Sequence, residues 1–111
     1  MKKDRVRDYA TEAFRDYALS LKSHKDISEP QRMDIEAVEK MLKYYADKKP
    51  YIVSAVKAVY FTDAGLPFRK NTVSFRVREY ALSEYTDEST VYRWLREARC
   101  KFAEYRGLVI Y

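Results

Sequence analysis

Over residues 4–22 apolar residues fall at Val6, Tyr9, Ala10, Ala13, Phe14, Tyr17, Ala18 and Leu21. Steps of three and four put them on one face of a helix, so the first predicted element is amphipathic. Ser23-His24-Lys25-Asp26-Ile27 breaks the period. Ser28 with Gln31 three residues on then reads as a capping box, with Pro30 tolerated in the first turn. The second helix, predicted over 29–46, carries Met33, Ile35, Ala37, Val38, Met41, Leu42 and Tyr45, a stripe broader than one neighbour requires. Pro50 suits the first turn of a third helix over 50–61, whose period runs through Ile52, Ala55, Val56, Val59 and Tyr60.

Gly65 and Pro67 interrupt the pattern, and 62–70 is predicted to be an ordered surface loop. Asn71 is placed to cap a fourth helix over 72–82, with Val73, Val77, Tyr80 and Ala81 on one face. A polar segment over 83–87 separates it from a fifth, over 88–106, in which Val91, Leu95, Ala98, Phe102 and Tyr105 recur at four, three, four and three. Gly107 is placed to stop that helix. The tail Leu108-Val109-Ile110-Tyr111 is apolar and β-prone, and either packs back onto the domain or meets another chain.

The fold class that follows is all-α. A C-terminal trihelical helix-turn-helix domain, 48–111, is preceded by two amphipathic helices in 1–47 that pack against it or dimerise. The breadth of helix two, the amphipathicity of helix one and the apolar tail lead us to expect a homodimer contact from one of them.

Composition narrows the function. At 111 residues the chain has room for one cooperative unit, and two Gly with three Pro supply little material for the turns of a β-sandwich. Apolar runs stop far short of the roughly 20 residues that cross a bilayer, so no membrane partner is expected. Met1-Lys2-Lys3-Asp4-Arg5 leads into charged sequence, and the expected location is cytoplasmic. A single cysteine, Cys100, and a single histidine, His24, allow no disulfide and no thiolate metal site, and no cofactor is expected. The net charge is +5, and it is unevenly spread. Residues 1–47 hold ten Lys/Arg against ten Asp/Glu, and 48–111 hold twelve against seven, so the excess lies in the C-terminal part. That is where a polyanion would bind.

Two helices joined by a short turn, the second of them basic, are the parts of a DNA-binding helix-turn-helix. Ala81 supplies the small residue at the helix crossing, and Val91, ten residues on, the branched apolar residue facing back into the core. With Val91, Leu95 and Ala98 inward, Ser89, Tyr92, Arg93, Arg96 and Arg99 turn outward, and Ser89, Arg93 and Arg96 share one strip. Asp87 can cap the helix. Arginine forks match guanine edges or phosphate oxygens, so Arg93 and Arg96 are the expected readers, with shorter contacts from Ser89 and Thr90. Arg76 and Arg78 on the preceding helix, and Lys48, Lys49, Arg69 and Lys70 in the loops, are candidates for the DNA backbone.

The stretch Ser89-Thr90-Val91-Tyr92-Arg93-Trp94-Leu95-Arg96-Glu97-Ala98-Arg99-Cys100-Lys101-Phe102 resembles the recognition helix of bacterial sigma-factor region 4, and of sigma-like, phage-type regulators of Gram-positive bacteria. With the helix over 50–61, similar to the one that precedes the motif in that family, the likeness spans roughly 50–106. The chain departs from the family where Tyr85 holds the usual glycine position of the turn, where Glu84 replaces an apolar residue, and in the longer loop over 62–70. The resemblance implies a regulator that binds duplex DNA.

Other features have plainer readings. Trp94 lies off the inward stripe and is expected to pack on helices one and two or to meet a partner. Most of the eleven tyrosines fall at core or boundary positions, where a phenol buries its ring and keeps its hydroxyl wet. His24 reads as a solvated loop residue, and the carboxylate pairs Glu36/Glu39 and Glu84/Glu88 have ordinary helix-surface spacing. An enzyme has little to be built from here, and none is expected. The rival to DNA binding is an interaction module in which the basic helix meets RNA polymerase or a phage assembly protein. A terminase-like accessory subunit that only positions DNA is a third reading.

Overall fold

The computed structural model describes residues 5–20, 28–62 and 71–108. Among them every regular element is a helix: α1 (Arg5–Ser20), α2 (Glu29–Lys48), α3 (Pro50–Val56) running on into a π-helical turn (Lys57–Phe61), α4 (Thr72–Ser83) and α5 (Glu88–Arg106). The expected ends of the first helix at 4 and 22, His24, the loop over 63–70 with Arg69 and Lys70, and the tail over 109–111 lie outside the described residues. No helix among the described residues is long and apolar enough to cross a membrane.

Local chemistry sets most boundaries. Ser28 and Gln31 form the reciprocal capping box, with the Ser28 N–H donating to Gln31 Oε1 at 3.0 Å. Pro50 starts α3 without needing an N–H. Asn71 departs from its expected role: it begins α4 through its carbonyl, which accepts from the Phe75 N–H at 3.0 Å, while its side chain makes no cap. The third helix also departs from a plain α-helix, because its last five residues widen into the π turn. That turn lies against both α1 and α4, buries Val59 and Tyr60 and half-buries Phe61, so three consecutive side chains reach the core.

The core is continuous across both halves of the chain. α5 packs on α1, α2, α3 and α4, and one buried cluster runs from Ala10 and Phe14 through Val38 and Met41 to Val56, Val77, Val91, Leu95 and Phe102. Phe14 sits edge-on to Tyr60 at 5.3 Å and to Phe102 at 5.4 Å, tying α1 to the π turn and to α5. Burying such a ring stabilises by about 1.5–3 kcal/mol, and each edge-to-face pair adds about 0.5–1.5 kcal/mol. The broad stripe of α2 is explained in the same way: α2 touches α1, α3 and α5, and Ala37, Val38, Met41 and Tyr45 are all buried within the chain. The apolar surplus that suggested a dimer contact on this helix is therefore largely covered in cis. Leu108, at the start of the tail, also packs on the core.

Two polar clamps fix the helices. Asp34 of α2 accepts from Arg106 Nε at 2.7 Å and from the Tyr9 hydroxyl at 2.8 Å, joining α1, α2 and α5 at one carboxylate. At the other end of α2, Tyr45 donates to the Glu97 carbonyl at 3.3 Å, and Lys49 reaches the Glu97 carboxylate at 3.0 Å.

Candidate nucleic-acid interface

Two backbone bonds close α4. The Thr86 N–H donates to the Ala81 carbonyl at 3.0 Å, and the Tyr85 N–H to the Leu82 carbonyl at 3.4 Å. This pair of bonds is the Schellman pattern, which calls for a left-handed residue just past the helix. Tyr85 supplies it with φ +54°, the one non-glycine residue at positive φ among the described residues. The same two bonds close α5, from Leu108 to Ala103 at 2.9 Å and from Gly107 to Glu104 at 3.2 Å, with Gly107 at φ +80°. The position where the resembled family carries glycine thus has the backbone that glycine favours, held by a tyrosine whose ring is 98% exposed.

Asp87 then caps α5, its Oδ1 accepting from the Thr90 N–H at 2.7 Å. Hydrogen bonds from the Thr90 side chain and then its backbone N–H hold the Asp87 carboxyl below its usual range, helped by the charge of Arg93. Val91, Leu95 and Ala98 are buried as expected, and Ala81 is buried on α4. That phase leaves Ser89, Tyr92, Arg93 and Arg96 exposed on the first half of α5. Among the described residues neither Arg93 nor Arg96 forms an ion pair or a hydrogen bond. Their charges are available to a ligand.

The remaining candidates separate from this strip. Thr90 is half-buried and committed to the cap. Arg99 is half-buried and donates to the Tyr60 hydroxyl at 3.0 Å, and Arg76 donates to the Val59 carbonyl at 2.8 Å, so both arginines brace the π turn. Arg78 is exposed and lies 3.8 Å from Glu88, across the turn. Trp94 is half-buried against the core and packs on Tyr51 of α3, with ring centroids 4.7 Å apart. Lys49 is engaged by Glu97.

Sequence reasoning missed a second basic feature. Tyr44 of α2 carries an ammonium group near its ring twice over, Lys48 Nζ at 5.1 Å and Lys101 Nζ of α5 at 4.5 Å. Lys40 and Lys43 line the same region. The available signal was the four-residue spacing of Lys40, Tyr44 and Lys48, which stacks them in one column on a helix. No group of three or more metal-ligating side chains occurs among the described residues. Neither family models nor curated proteins nor solved structures give a match to this chain.

Proposed function

We propose that the chain is a sequence-specific duplex-DNA-binding transcription regulator, in which α3, α4 and α5 act as a trihelical helix-turn-helix and α5 is the recognition helix. The observation that carries this reading is the exposed strip of Ser89, Tyr92, Arg93 and Arg96, whose two guanidinium groups form no ion pair or hydrogen bond among the described residues, on a helix that follows a short turn with a left-handed residue. Arg93 and Arg96 read base edges or grip phosphate in the major groove, Ser89 and Tyr92 make the nearer contacts, and Arg78 reaches the backbone. The resemblance to sigma region 4 supports this reading. Arg76, Arg99 and Thr90 act on it by holding the helices in place.

The test is selection of bound sites from random duplexes, followed by Arg93→Ala and Arg96→Ala on the selected site. Either change is expected to cost about 1–3 kcal/mol and to relax preference at one position if the side chain reads a base. A phosphate contact would weaken all sequences alike. Folded variants that keep full affinity at every salt concentration would remove α5 as the reader.

One observation favours a second reading, a protein-interaction module that docks on RNA polymerase or on a phage assembly protein. Phe75, Leu82 and Tyr85, 61%, 71% and 98% exposed, leave large apolar side chains on the outer face of α4 and its turn. Binding to such a partner would be insensitive to salt, whereas duplex binding falls steeply with it.

A further inference from the structure

We propose that the cleft between the C-terminal halves of α2 and α5 is a second phosphate-backbone site, which grips the strand bordering the groove that Arg93 and Arg96 enter. The proposal rests on the duplex-binding reading. Lys40, Tyr44 and Lys48 form a column on α2, and Lys101 faces them from α5 across the Tyr44 ring. Lys40, Lys43, Lys48, Lys49 and Lys101 stand here against Asp47, Glu97 and Glu104, so five positive charges less three negative leave an excess of two.

The pairing is uneven, and that uneven pairing leaves room for a ligand. Glu97 is taken by Lys49 at 3.0 Å and Glu104 by Lys101 at 2.8 Å. Lys40, Lys43 and Lys48 have no carboxylate partner among the described residues. The negative end of the α2 dipole favours Lys48, but its effect fades within the last turn and does not explain Lys40 and Lys43 further upstream. Lys48 and Lys101 both bring an ammonium group to the Tyr44 ring, and of the two only Lys101 also has a carboxylate partner among the described residues. The aromatic face holds the Lys48 cation in place without neutralising it.

The spacing along α5 suits a duplex. Arg93, Glu97 and Lys101 follow one another at four-residue steps on one side of the helix. Eight residues of rise separate Arg93 from Lys101, about 12 Å at 1.5 Å per residue. The major groove of B-DNA is about 12 Å wide. A helix whose first half lies in the groove therefore brings Lys101, and with it the α2 lysines, to the phosphates at the groove's edge.

The experiment measures anisotropy of a labelled 25-base-pair duplex, in random sequence and carrying the selected site, across a salt series. The variant Lys40→Gln/Lys43→Gln/Lys48→Gln is compared with the same three positions changed to Arg, both checked for fold by circular dichroism. Removing three phosphate contacts is expected to lower the slope of log affinity against log salt by about 2.7, at about 0.9 per charge, in both duplexes. The arginine variant should keep the slope, and base preference should stay as in the parent. A fall of at least one charge's worth supports the site. An unchanged slope, or a loss of base preference with the lysines, overturns it, while Arg96→Ala still weakening the selected site would leave the duplex reading standing. A parent protein that binds neither duplex overturns both.

Discussion

Replacing Tyr85 with glycine is expected to stabilise the protein, although it deletes a large side chain. At φ +54° an L-residue brings its Cβ close to the following carbonyl oxygen, at a cost of about 1–2 kcal/mol that glycine does not bear. Glycine brings its own penalty, about 0.5–1 kcal/mol, because its unfolded backbone is freer. No packing is lost, since the ring is 98% exposed. The net expectation is a gain of about 0.5–1 kcal/mol, or roughly 2–6 °C in Tm for a domain of this size. Gly107 is the internal comparison: it closes α5 through the same two backbone bonds at φ +80°, and a Cβ added there meets nothing within 4 Å. Gly107→Ala should therefore lose about 1 kcal/mol through the backbone alone. Both variants would be measured by urea unfolding followed at 222 nm, with the urea dependence of stability unchanged from the parent. If Tyr85→Gly lowers the midpoint while Gly107→Ala behaves as stated, the tyrosine ring contributes to the fold in a way that its exposure does not reveal, and the argument fails.

Asp34→Ala should cost about 2 kcal/mol, because it removes two hydrogen bonds at a carboxylate only 17% exposed and leaves Arg106 without its partner. Urea midpoints should show a smaller loss for Tyr9→Phe, and a loss no larger for Asp34→Ala would contradict the clamp. Burial, the first cause in each case, raises the phenol pKa of Tyr9, Tyr17 and Tyr45 above the ordinary value, with the Glu97 charge adding to it at Tyr45. An acid whose folded pKa is raised favours the fold in its neutral form, so stability should hold below the unfolded value of about 10 and decline as pH rises beyond it. Unfolding midpoints at pH 8–11 check this, and a flat profile would refute it. Val91→Asp, at a fully buried position, should cost more than about 4 kcal/mol and abolish the helical signal, and a folded Val91→Asp would mean that α5 is phased differently.

Much of the fold is legible from local signals. Ser28 with Gln31, Pro50, Asp87 and Gly107 mark helix ends by chemistry that acts within a few residues, and each sits where the hydrophobic period changes. The inward face of α5 is set by Val91, Leu95, Ala98 and Phe102 because burial demands one continuous stripe, and that phase places Ser89, Arg93 and Arg96 outside.

Long-range geometry decided the rest. Nothing in the spacing of Arg76 or Arg99 shows that the helix over 50–61 would widen and present the Val59 carbonyl and the Tyr60 hydroxyl to them. Divided at residue 47, the N-terminal part has no excess of charge, yet packing α2 on α5 brings its Lys40 and Lys43 into one region with Lys48 and Lys101 around Tyr44. Charge adds up in space and not along the chain. Tyr85 looked like a departure at a position that prefers glycine, and only the backbone revealed that the left-handed turn is kept. A local sequence fixes which residues a helix exposes. What those residues then meet depends on which other helices the core draws alongside.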